Sequence, residues 1–228
     1  MKIGLVYAMT GEIESLLTQE NAQPLQTVAG VPFYQIRPDV IACAGGVSKV
    51  NAAMATQLLI SLYQPDLVLN AGVAGCFEDM PIGSIVLAEG FLQHDVDTTA
   101  VGDPIGLVST VNRVEFPTWK PEHCVEVLKR LGFSAVTGRV ATGDWFAVKS
   151  SRAAWVRDTF SPLLVEMEGC AMAQVCLRNG VGFAAVKSVS DHLFSENQAA
   201  EYFDFGQALE KLGAVVLPLA RALKEEEL

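Results

Sequence analysis

What most constrains this chain is an alternation along its length. Short, nearly continuous apolar runs rich in β-branched residues are separated by longer stretches of helical period. The runs are Lys2 to Tyr7, Val40 to Ala44, Leu67 to Ala71, Ser84 to Glu89, Val136 to Thr142 and Gly182 to Ser190. Apolar on both faces, they predict buried strands. Amphipathic stretches at Ser48 to Tyr63, Glu122 to Leu131, Met167 to Asn179 and Phe205 to Leu223 predict helices, with Gly or Pro at several boundaries. Alternation of this kind implies a layered α/β sandwich.

One domain over residues 1–228 is the economical reading, because a chain of this length buries roughly 70% of its unfolded surface around a single core. No repeat or low-complexity linker interrupts it, and the only charge run, Lys224 to Glu227, reads as a solvated terminus. Asp103 to Pro121 is the longest stretch without clear periodicity, which leaves a surface excursion and a subunit-contact loop both open. With 50% of residues apolar and 18% charged, the composition supplies a substantial core and excludes a disordered tail.

The longest apolar stretches, such as Ala214 to Leu219, fall far short of the roughly 20 residues that cross a bilayer, so no membrane span is expected. Met1-Lys2 leads directly into a strand pattern, so no signal peptide is expected either. The five cysteines form no Cys-x-x-Cys pair, and their odd number argues against a full disulfide framework. A reducing, cytoplasmic setting follows. Sixteen basic against twenty-six acidic residues give a net charge of −10, which disfavours nucleic-acid and anionic-membrane partners and points to a small ligand.

At three places acids stand where strand patterns end, the position at which α/β sheets hold ligands. Glu12 follows the first strand through Ala8-Met9-Thr10-Gly11, although a carboxylate there also suits a helix N-terminus. Glu166 and Glu168 interrupt the apolar run Val165-Glu166-Met167-Glu168-Gly169-Cys170-Ala171, two residues apart and so on one face if extended. Burying such carboxylates costs several kcal/mol unless they are paired, although a first-turn helical acid is again an alternative. Asp191 closes the strand Gly182 to Ser190, as a catalytic acid or as a turn and cap residue.

The remaining motifs narrow the chemistry. Asn70-Ala71-Gly72-Val73-Ala74-Gly75 would let a ligand approach the backbone, but it is no Gly-x-Gly-x-x-Gly fingerprint. Ala44-Gly45-Gly46-Val47-Ser48-Lys49 lacks the spacing of a phosphate loop. His94-Asp95-Val96-Asp97 has no further ligand spacing from His123 or His192, so no metal is expected. No Gly-x-Ser-x-Gly elbow or cysteine nucleophile signature occurs, which disfavours covalent catalysis.

Ala8-Met9 to Glu12, Asn70 to Gly75, Thr142-Gly143-Asp144-Trp145-Phe146, Val165 to Gly169 and Ser188 to Asp191 together resemble the methylthioadenosine/S-adenosylhomocysteine nucleosidase family of the purine nucleoside phosphorylase superfamily. The match in order and spacing runs nearly end to end. His94 to Asp97 with Asp103-Pro104 also looks like the branch that accepts aminofutalosine. The resemblance implies a three-layer α/β/α sandwich around a central twisted mixed sheet, a homodimer, no cofactor, and hydrolysis of 5'-modified adenosines. Methylthioadenosine, S-adenosylhomocysteine, 5'-deoxyadenosine and aminofutalosine are the substrates it suggests.

Roles carried over residue by residue would make Asp191 the acid that protonates adenine N7 and Glu12 the base that activates water. Glu168 would bind the ribose hydroxyls, with Met167 against the sugar. Phe146 would stack on adenine, the Ala147 backbone would read its polar edge, and Val73, Ala74 and Gly75 would form a glycine turn beneath it. Ser190 would position Asp191, while Met9, Val47 and Phe203 would form apolar walls. The His94 to Pro104 segment would come from the neighbouring subunit.

The chain departs from the family pattern at Thr10-Gly11, in place of a common acidic pair, and at Lys187, in place of an Arg. Two additional residues also fall between Asp191 and Phe203. A phosphate-dependent purine nucleoside phosphorylase is the nearest rival, but Arg37 is the only Arg in the first 39 residues and no other Arg lies before Asn70-Ala71-Gly72 to hold an anion. A non-catalytic nucleoside-binding protein on the same fold is the alternative of another class.

Overall fold

The computed structural model describes residues 1–194 and 205–225. The chain opens with β1 (Ile3–Tyr7) and α1 (Thr10–Gln19), then an antiparallel ribbon of β2 (Gln23–Val28), β3 (Val31–Arg37) and β4 (Val40–Ala44). Next come α2 (Lys49–Tyr63), β5 (Leu67–Cys76), β6 (Ile85–Gln93), the short β7 (Glu115–Pro117) and α3 (Pro121–Arg130). The order then runs β8 (Ala135–Thr142), α4 (Ser151–Phe160), β9 (Leu164–Glu166), α5 (Gly169–Asn179), β10 (Gly182–His192) and α6 (Phe205–Glu225).

The ten strands among the described residues belong to one mixed sheet. β5 is its hub. β10 pairs in parallel along one edge of β5, from Leu67 to Cys76. The other edge is divided: β1 pairs in parallel with Leu67 to Asn70, and β9 pairs antiparallel with Gly75 and Cys76. Because β10 also pairs with β6, β6 with β8, and β8 with β9, these strands close a ring on β5. That closure brings the ends of strands distant in sequence around the upper half of β5.

The strand period of two explains the layers. Leu5, Leu67 and Leu69 face α1, α3 and α6, packing with Ile13, Leu16, Leu128, Leu212 and Leu219. Their neighbours Val6 and Val68 face α2 and α5, packing with Ala52, Leu59, Met172 and Cys176. Helices therefore cover both faces of β1, β4 and β5, and these strands are almost wholly apolar for that reason. All five cysteines are buried free thiols. Among the described residues no helix is long and apolar enough to cross a membrane.

Several elements depart from the sequence expectation. β5 continues through Val73, Ala74 and Gly75, so the expected glycine turn is instead extended strand. Its small residues serve close packing: a Cβ on Gly75 would lie 3.0 Å from Asp191 Oδ2, and one on Gly72 would lie 3.1 Å from Glu12 Oε1. β2 carries almost wholly exposed residues and shows no apolar alternation to read. α5 begins at Gly169, two residues later than predicted, where a Cβ would strike Phe91 Cε1 at 2.2 Å. The Asp103 to Pro121 stretch holds a 3-10 turn and β7, which pairs with β6.

Candidate active site

Glu12 sits in the first turn of α1. Its Oε2 accepts the N–H groups of Ala8 at 3.0 Å and Met9 at 2.8 Å, so it does cap its own helix. Its Oε1 turns the other way, to the N–H of Val73 on β5 at 3.3 Å. Burial raises its pKa above the ordinary carboxylate value, against the opposing pull of those N–H donors and the Lys187 ammonium. The carboxylate thus both caps α1 and faces the centre of the sheet.

Asp191 owes its placement to a bulge. The β10–β5 register runs Val189 with Ala74 and then Asp191 with Gly75, leaving Ser190 as the additional residue. A bulge re-aims the side chains that follow it. Ser190 Oγ donates to Asp191 Oδ1 at 2.7 Å. Burial raises the Asp191 pKa, opposed by that hydrogen bond and by His192.

The two neighbouring glutamates have different tasks. Glu166 ends β9 and meets Lys187 Nζ at 3.0 Å, with both side chains almost wholly buried. It also accepts the Thr142 hydroxyl and the N–H groups of Glu168 at 3.1 Å and Gly169 at 2.8 Å. Glu168 precedes α5 in a non-helical conformation, and its side chain makes no capping hydrogen bond to that helix. Its Oε1 instead accepts the Ser48 N–H at 2.8 Å. Burial and the adjacent Glu166 charge push its carboxyl up to about 7.

These groups border one cavity that opens to solvent. Met9, Glu12, Val47, Val73, Ala74, Gly75, Phe146, Ala147, Met167, Glu168, Ser190 and Asp191 all line it, as expected from the sequence. Phe203 lies outside the described residues. Ala8, Trp145, Val165, Glu166 and Phe205 join the lining without having been singled out as binding residues. Ala8, Trp145, Val165 and Glu166 lie inside the motifs that carry the family resemblance. Phe205 carried only the signal of a helix start.

Lys187 was legible as an anomaly, a cation in an apolar strand, and Glu166 was its complementary anomaly. His94 and Asp95 pack within this same chain: the His94 ring lies edge-on to Trp145 with centroids 5.9 Å apart, and Asp95 accepts the Asp144 N–H at 2.9 Å. They therefore buttress their own chain's Trp145 segment, whichever subunit the following residues meet.

An acid cluster over an apolar cleft at the strand ends of a closed mixed sheet defines the class, and the sequence profile described as "Phosphorylase superfamily" matches residues 2–223. A 5'-methylthioadenosine/S-adenosylhomocysteine nucleosidase of a Shewanella species (strain MR-7) is 36% identical over 220 residues, covering 93% of this chain and 92% of the relative. A solved nucleosidase of that kind from Colwellia psychrerythraea, in complex with adenine, has a TM-score of 0.85 and 33% identity, covering 98% of this chain and 96% of its own. A futalosine hydrolase mutant of Helicobacter pylori superposes with a TM-score of 0.85 at 26% identity, covering 99% of both chains. The chain belongs to the methylthioadenosine/S-adenosylhomocysteine nucleosidase family and is an N-glycosidase hydrolase.

Proposed function

We infer that the chain cleaves the N-glycosidic bond of 5'-modified adenosines with water, releasing adenine, with Asp191 as acid and Glu12 as base. The observation that carries this reading is the convergence of Glu12, Glu168 and Asp191 on one cavity. Glycosidic cleavage has an oxocarbenium-like transition state and needs one group to protonate the leaving base and another to deprotonate water. Asp191, whose raised pKa favours the neutral form, gives its proton to N7 as the C1'–N9 electron pair moves into the purine. Glu12 takes a proton from the water that bonds to C1'.

Glu168 accepts hydrogen bonds from the ribose hydroxyls, and Met167 packs on the sugar. Phe146, more than half exposed at the rim, offers a ring face to the base, and the Ala147 backbone reads its edge. Val73 to Gly75 underlie the base, Ser190 holds Asp191, and Met9 and Val47 supply apolar walls. Phe203 is assigned to the same wall on the family resemblance alone.

Water is favoured over phosphate because no Lys or Arg occurs among the described residues that line the cavity. Lys187 is already committed to Glu166. Adenine release from 5'-methylthioadenosine in phosphate-free buffer tests this: undiminished turnover is expected, and strict dependence on added phosphate would establish a phosphorylase instead.

The substrate range includes methylthioadenosine, S-adenosylhomocysteine and 5'-deoxyadenosine, and extends to aminofutalosine, in keeping with the resemblance of His94 to Asp97 and with the futalosine hydrolase neighbour. We assign the activity to a single catalytic domain over the whole chain, since one sheet runs from β1 to β10 and α6 packs on it. Assembly as a homodimer is assigned on the family resemblance alone. The buried free thiols support a reducing cytoplasm. Light scattering at micromolar concentration tests the dimer, with a mass of one chain counting against it.

A further inference from the structure

Two walls of the cavity are tied together at a point outside it. The start of α2 supplies Val47 to the lining and the Ser48 N–H to Glu168, while the segment after β8 supplies Trp145, Phe146 and Ala147. Between them lies the end of β6 with Gln93, His94 and Asp95, none of which lines the cavity. Lys49 Nζ donates to Asp95 Oδ1 at 2.7 Å and to Gln93 Oε1 at 3.0 Å. Asp95 Oδ2 accepts the Asp144 N–H at 2.9 Å, and Asp144 Oδ1 accepts the Lys49 N–H at 2.9 Å. Lys49, Asp95 and Asp144 therefore form a closed circuit that joins both walls through backbone N–H groups.

This circuit differs from an ordinary surface ion pair, which holds nothing else in place. Both charged side chains are about four-fifths buried. Ser48, next to Lys49, has a φ of 88°, a conformation that a non-glycine residue keeps only when its surroundings enforce it. On the other side, the His94 ring packs against Gly143 so closely that a Cβ there would lie 2.3 Å from it. Burial raises the Asp95 pKa, but the Lys49 hydrogen bond, the Asp144 N–H and nearby positive charge outweigh it and hold the carboxyl below its ordinary value.

We propose that Lys49 and Asp95 are positioning residues for nucleoside binding: their ion pair sets the spacing between the Ser48–Glu168 wall that takes the sugar and the Phe146 wall that takes the base. The proposal rests on the nucleosidase reading above. Neither residue touches the nucleoside. Both walls grip substrate before and during cleavage, so loosening the clasp acts on KM and leaves kcat nearly unchanged.

The test is a cycle of four proteins: parent, Asp95→Asn, Phe146→Ala and the double variant, with Lys49→Met as a second probe of the clasp. KM for 5'-methylthioadenosine is expected to rise about tenfold in Asp95→Asn, and less than about twofold more when Phe146→Ala has already removed the positioned ring. A residue that merely stabilised the fold would give the same loss in both backgrounds. Equal losses, a loss confined to kcat, or an unchanged KM would each overturn the proposal. Should Lys49→Met fail to melt cooperatively, Asp95→Asn, which keeps the side-chain shape but only one acceptor oxygen, carries the measurement. If the parent released no adenine, the nucleosidase reading would fail first, and the same cycle read as the calorimetric Kd for intact 5'-methylthioadenosine would still decide the clasp.

Discussion

Replacing Lys187 with Met keeps most of the side-chain volume and removes one buried charge. Lys187 and Glu166 are 2% and 3% exposed with 3.0 Å between their charged atoms, so the substitution leaves an unpaired carboxylate almost wholly buried at the edge of the cavity. Breaking a buried pair from one side costs about 3–5 kcal/mol. Glu166 keeps the Thr142 hydroxyl and two backbone N–H donors, which places the expected loss near the lower end, about 3 kcal/mol. For a chain of this size that lowers Tm by about 6–12 °C.

A second effect is separable from the first. The Lys187 charge lowers the pKa of Glu12, so its removal raises that pKa further. Glu12 acts as a base only when ionised, so activity falls as pH drops through its pKa, and this acid limb moves to higher pH in the variant. Urea unfolding and a pH profile of kcat/KM measure the two effects. Adding Glu166→Gln to Lys187→Met removes the unpaired charge and should restore most of the stability while the acid limb stays displaced. A single variant losing less than about 1 kcal/mol, or a double variant no more stable than the single, would refute the argument.

Asp191→Asn removes the proton donor while keeping the side-chain shape; kcat should fall by about 10²–10⁴-fold with adenine binding by calorimetry changed little, and near-parent turnover would discard the assigned acid. Glu168, raised to about 7, is protonated below that pH and ionised above it, so KM for ribonucleosides should fall as pH rises through about 7, and Glu168→Gln should abolish that dependence. Its folded-state pKa exceeds its ordinary value of 4.5, so its contribution to stability is complete below about pH 4.5 and is lost as pH climbs towards 7, which acid-range melts of parent and Glu168→Gln would compare. Gly143→Ala drives a Cβ to 2.3 Å from the His94 ring; displacement of the Trp145 segment should raise KM, and an unchanged KM would show that the segment adapts freely.

The sequence by itself determined the layers and the chemical inventory. Continuous apolar runs such as Leu67 to Ala71 can be satisfied only between two helical layers, and Leu69 beside Val68 then divides its side chains between those layers. Glu166, a charge set in an apolar run, was visible as a residue that needed a partner, and Lys187 in its apolar strand carries the same signal. Elements without apolar contrast were not visible: β2 is exposed along nearly its whole length, and β9 has only three residues.

Tertiary structure alone decided which residues meet. Glu12, Glu168 and Asp191 each had a local alternative as a cap or turn residue, and local spacing cannot distinguish a carboxylate that caps a helix from one that also reaches Val73. The register of β10 on β5, with Ser190 bulged, aims Asp191, and the closing of the sheet on β5 brings β9 to the same place. Contacts between residues far apart in the chain depend on strand register and sheet closure, which the packing of the whole core fixes and no short segment encodes.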